Sequence, residues 1–129
     1  MWVAIRPMFA GLDPVRVENP AHPGTPDVEY IGGWVELKHA DAWPIHAHTE
    51  LKIDHFTQQQ KVWLLRRWVA GGTVHLLLQV KNDWLLFTGP KAGDFVGCST
   101  KDDLIYNAKK HWTGKPVLIG EFQRCLRRR

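Results

Sequence analysis

A chain of 129 residues is one domain's worth, long enough to bury a single hydrophobic core. Apolar residues make up 44 % and charged ones 23 %, which excludes wholesale disorder, and no run approaches the roughly 18 apolar residues of a membrane span. A net charge of +4 and a pI near 9.3 favour a polyanionic partner such as nucleic acid.

In chain order, residues 1–11 predict a short helix that Pro7 limits to a turn or two, ending at Gly11. The leader "MWVAIRPMFAGLDP" lacks the apolar stretch and cleavage site of a signal peptide, so the expected location is the cytoplasm. "VRVEN" (15–19) alternates like a strand, "PAHPGTP" (20–26) is a loop, and two strands follow at about 27–31 and 34–38. "HADAWPIHAHTELKIDHF" (39–56) has no sustained period and reads as an excursion with a short strand at 50–53. Thr57 opens the clearest helix: Gln60 three residues on makes a capping box, and Gly71-Gly72 stops it. Val62, Leu65 and Val69 share one helical face, with Leu64 and Trp68 beside them, and are expected to face the core; Arg66 and Arg67 lie off it. "TVHLLLQV" (73–80) suits a strand buried on both faces, and "KND" turns it into "WLLFT" (84–88). Ser99 or Thr100 caps a last short helix to about Lys110, and "RCLRRR" is a basic tail. The fold class is therefore α/β, a mixed sheet flanked by helices in the order α-β-β-β-α-β-β-α. It forms one domain with its core at about 12–90 and a C-terminal extension at 91–129.

Chemistry concentrates in "GTPDVEYIGGWVELK" (24–38). Glu36 and Lys38 share a strand face, about 7 Å apart, while Leu37 points the other way. A Gly32-Gly33 turn sets Asp27 opposite Lys38 and Glu29 opposite Glu36. A four-residue loop, Tyr30 to Gly33, sets Asp27 opposite Glu36. A two-residue turn at Ile31-Gly32 gives that same pairing but is expected to strain Ile31. The four-residue register is preferred, because it keeps Asp27 beside Glu36. In each case Asp27, Glu36 and Lys38 face one side, and two carboxylates repel unless a cation neutralises them. Mg²⁺ takes such oxygen ligands together with water and substrate phosphate. A plain cross-strand ion pair of Asp27 with Lys38 is the structural alternative.

Pro26-Asp27 … Glu36-Leu37-Lys38 resembles the PD-(D/E)XK nuclease signature of the restriction-endonuclease-like fold. "VENPAHPGTPDVEYIGGWVELK" with "HFTQQQKVWLLRRWVAGG" resembles more narrowly the virus-type replication–repair nuclease (VRR-NUC) group, over roughly residues 15–88. The resemblance implies a restriction-endonuclease-like core and metal ligands at Asp27, Glu36 and the Leu37 carbonyl, with Glu18 completing the set. It implies catalytic roles for Asp27, Glu36, Lys38 and Gln60, with Gln58 a weaker match than Gln60, and Mg²⁺ or Mn²⁺ as cofactor. It further implies a homodimer that cuts branched DNA such as Holliday junctions in phage or bacterial recombination, replication or repair.

Other readings stay open. Gln60 also fits a purely structural cap, and Glu18 an exposed carboxylate. His46, His48 and His55 could gather a zinc ion, although solvated loop histidines explain them, as they do His22 and His39. Cys98 and Cys125 show neither zinc nor disulfide spacing and suggest a reduced protein. The lysines and arginines suit phosphate contacts and steep salt dependence. A flap, nicking or single-strand nuclease and a non-catalytic DNA-binding protein are the rival functions.

Overall fold

The computed structural model describes residues 1–19 and 21–129. Six strands form one mixed, open sheet in sequential order β1 to β6. They are β1 (Val15–Arg16), β2 (Val28–Tyr30), β3 (Gly33–Ala40), β4 (Val74–Val80), β5 (Asp83–Thr88) and β6 (Lys110–Thr113). Among the described residues only β3 and β4 pair in parallel, and α2 (Gln58–Val69) makes the crossover between them. Helix α1 (Trp2–Ile5) runs into a 3₁₀ turn at Arg6–Phe9 where Pro7 enters; α3 (Gly89–Phe95), α4 (Lys101–Asn107) and α5 (Ile119–Arg127) complete the chain. None of the described helices is long and apolar enough to cross a membrane.

The sheet separates two apolar layers. On one face Trp63 and Leu64 of α2 pack over Leu76, Leu78 and Phe87. On the other, Phe9, Phe122 and Leu126 cover Val28, Val35 and Leu77. The middle strand β4 is buried on both faces apart from Gln79, as its unbroken apolar run requires.

Helix α2 starts as its sequence dictates. The Thr57 hydroxyl accepts the Gln60 N–H at 3.2 Å, and the Gln60 side-chain oxygen accepts the Thr57 N–H at 3.0 Å. Its buried face differs from the expected one. Val62, Leu65 and Val69 are 50 %, 50 % and 76 % exposed, whereas Trp63 and Leu64 are buried and Trp68 is half-buried. Trp63 and Trp68 flank a broad face with Leu64 between them, and two indoles bury more apolar surface than three aliphatic side chains, so the tryptophans set the rotation of the helix.

The expected strand at 50–53 is reduced to a single bridge between Leu51 and Ser99. Residues 91–129 are not an appendage. They supply β6, which pairs with β5, and α5, whose Phe122 and Leu126 are fully buried. Gln123 Nε2 donates to the Met8 and Ala10 carbonyls, tying this end to the N-terminal turn. The arginine tail is docked as well: the Arg129 guanidinium lies 4.2 Å from the Trp68 ring centre.

Candidate active site

The hairpin β2–β3 pairs Val28 with Val35 and Tyr30 with Gly33, so its turn is Ile31-Gly32. The register extends to Asp27 opposite Glu36, the pairing expected from sequence, reached through the two-residue turn rather than the longer loop. Strain at Ile31 is avoided because only Gly32 takes a left-handed conformation, at φ 108°. That pattern belongs to a type II turn, which needs glycine at its second central position alone.

Four of the expected residues meet on the sheet face beneath α2. Glu36 is 1 % exposed and Lys38 8 %, both flanked by the apolar β4 side chains Leu76 and Leu78. Lys38 Nζ lies 3.4 Å from Glu36 Oε1 and donates to the His55 carbonyl at 2.9 Å. Gln60 Nε2 reaches the same Glu36 Oε1 at 3.5 Å, the long end of a hydrogen bond. The Gln60 amide thus caps α2 with its oxygen and addresses Glu36 with its nitrogen. Capping and site roles coexist in one side chain.

Asp27, half-buried, accepts the Leu37 N–H at 2.9 Å through Oδ2. The N–H and C=O of one strand residue point to the same edge, so the Leu37 carbonyl also faces the Asp27 side. Burial pushes the Glu36 carboxyl up to about 9; the Asp27 carboxylate adds to the rise by accepting from the protonated form of Glu36 and by repelling the ionised one, and Lys38 opposes it only in part. With Glu36 ionised, no donor reaches its buried Oε2. An orphaned carboxylate oxygen beside a second carboxylate is a donor set suited to a hard divalent cation, which needs only one or two carboxylates.

Glu18 does not join this pair. It is exposed, just past β1, and β1's register carries it opposite Pro26 rather than Asp27. Among the described residues no three His, Cys, Asp or Glu side chains gather closely enough to hold a metal. His46 and His48 stack on one another at 5.7 Å, but no histidine cluster forms with His55.

Several contributors escape sequence reasoning. His55 sits at φ 63°, a left-handed conformation uncommon outside glycine, and its carbonyl holds Lys38. Phe56 occupies the position just before the α2 cap, where an apolar residue is common, and lies beneath Lys38 and Lys61 at 5.5 Å and 5.2 Å. That position was the available signal. Gly24, at φ 93°, lets the loop before Asp27 touch the α2 backbone: a Cβ there would fall 2.6 Å from the Gln59 carbonyl oxygen. Bare backbone contact thereby sets the Asp27 loop against Gln60's helix. Neither a family model nor a curated protein matches the chain.

Proposed function

We propose that the protein is a metal-dependent nuclease that hydrolyses DNA phosphodiester bonds on a restriction-endonuclease-like core, acting as a structure-selective endonuclease. The observation that carries this reading is the buried Glu36, unpartnered at Oε2, held among Asp27, Lys38 and Gln60 on one sheet face. Asp27, Glu36 and the Leu37 carbonyl are the groups to hold Mg²⁺ or Mn²⁺. A cation so held polarises a phosphate and lowers the pKa of its bound water.

The chain's own residues do the rest. Lys38 is anchored by the His55 carbonyl and shielded by Phe56, so its ammonium is aimed before substrate arrives. It stabilises negative charge growing on the phosphate oxygens and orients the attacking water. Gln60 fixes the rotamer of Glu36 and offers an N–H to the same region. Excess positive charge, +4 overall, draws the polyanion to the surface.

Cleavage of a panel of four-way, flapped, nicked and linear DNA in Mg²⁺ tests the reading. The wild type should cut branched DNA, with loss in Lys38→Ala. Salt-sensitive binding with no Mg²⁺-dependent product would leave a non-catalytic DNA-binding protein instead.

A further inference from the structure

Beside the acidic pair lies a groove of about 500 Å³, within the usual range of small-molecule sites. Its walls include Asn19, His22, Trp34, Trp63, Arg66 and Arg67. Trp34 stands two residues before Glu36 on the same strand face, and Trp63 one helical turn after Gln60. The groove and the candidate active site thus draw on neighbouring positions of the same strand and the same helix. The two indoles meet edge to face at 5.3 Å, and the Arg67 guanidinium sits in their corner, 4.6 Å from the Trp63 ring centre and 6.0 Å from that of Trp34.

Arg67 is held in place from behind. Gly72 lies where a Cβ would come within 2.7 Å of Arg67 Cγ, so bare backbone makes room for the arginine stem. Among the described residues neither Arg66 nor Arg67 pairs with a carboxylate, and Glu29, cross-strand from Trp34, engages neither. An aromatic corner with two unneutralised guanidiniums matches a phosphodiester strand carrying an exposed base face. Bases inside a duplex are stacked and cannot enter a concave aromatic corner, whereas unpaired ones can.

We propose that this groove captures one unstacked nucleotide next to the scissile bond, its base against Trp34 and Arg67 and its phosphate on Arg66. The favoured substrate class is then DNA with unpaired nucleotides at a junction or fork. The inference rests on the nuclease reading for what the captured strand is used for, but it is tested without cleavage.

The experiment is fluorescence anisotropy in EDTA with a labelled fork bearing unpaired arms and a blunt duplex of matched sequence. The wild type should bind the fork at least about tenfold more tightly, the scale of one stacked base. Arg67→Ala and Trp34→Leu should each reduce that preference to below about threefold, while Trp34→Phe retains most of it. Arg67 is exposed, so its variant keeps the fold even where Trp34→Leu does not. Equal affinity of the wild type for the two DNAs, or a preference unchanged in Arg67→Ala, overturns the inference. Absence of any Mg²⁺-dependent product would sink the nuclease reading and leave this binding result standing.

Discussion

Glu36 and His75 are buried ionisable side chains whose folded pKa values move in opposite senses from their solution values. Glu36 rises to about 9, so the folded state holds a proton that the unfolded chain releases above about pH 4.5. Its contribution to stability is full below that value and lost as pH climbs through 9. His75, fully buried and beside Lys109 at 3.2 Å, is pushed down to about 3 by burial and by the lysine's charge. Its contribution is present above pH 6.5 and lost as pH falls toward 3. Metal-free protein should therefore show a melting temperature that declines from about pH 6.5 toward pH 9, holds level between 4.5 and 6.5 where the two effects offset, and declines again below pH 4.5 toward pH 3. Glu36→Gln should flatten the alkaline decline, raising Tm at pH 8 in EDTA by at least about 3 °C. Mg²⁺ should stabilise the wild type at pH 8 and leave Glu36→Gln unmoved; scanning calorimetry reads both effects. At the same scale, Gln60→Ala loses the α2 cap and the Glu36 contact together. It should cost about 1 kcal/mol in urea unfolding and lower cleavage at least about tenfold, whereas Thr57→Ala should cost similar stability with little loss of cleavage.

Among the elements, legibility in the sequence followed the range of the forces involved. The α2 cap at Thr57 and Gln60 and the doubly buried β4 are set by neighbours in sequence, and both stand where the pattern puts them. The hairpin pairing was legible but its turn was not, because left-handed geometry was demanded of both turn residues and only Gly32 needs it. A Gly32→Ala variant should accordingly lose at least about 1 kcal/mol and loosen the Asp27–Glu36 register, seen as faster amide exchange at Leu37. The rotation of α2 was misjudged because Val62, Leu65 and Val69 make a regular stripe, while the deciding partners, Trp34 and the β4 leucines, lie far along the chain. For α5 the signal was two buried residues, Phe122 and Leu126, amid arginines, and their partner Phe9 sits at the opposite end of the sequence. The lysine's anchor at the His55 carbonyl leaves no trace in residue type, since any residue supplies a carbonyl.

Across the whole molecule, one six-stranded sheet presents its candidate chemistry on a single face, where β2 and α2 begin. Asp27 comes from the strand entry, Glu36 and Lys38 from a central strand, and Gln60 from the crossover helix. Three separate stretches of chain thus converge only when the hairpin and the β3–α2–β4 unit are both formed. The Trp34–Trp63–Arg67 groove neighbours that convergence through Trp34 on β3 and Trp63 on α2, so the proposed binding and cleavage would fall on one side of the protein. The most direct test is Mg²⁺-dependent cleavage of labelled four-way and flapped DNA by the wild type and Asp27→Ala, with EDTA as control. The account predicts cleavage by the wild type in Mg²⁺ only, and at least about a hundredfold loss in Asp27→Ala with its fold intact. Equal cleavage by the two proteins, or no Mg²⁺-dependent product from the wild type, would contradict it.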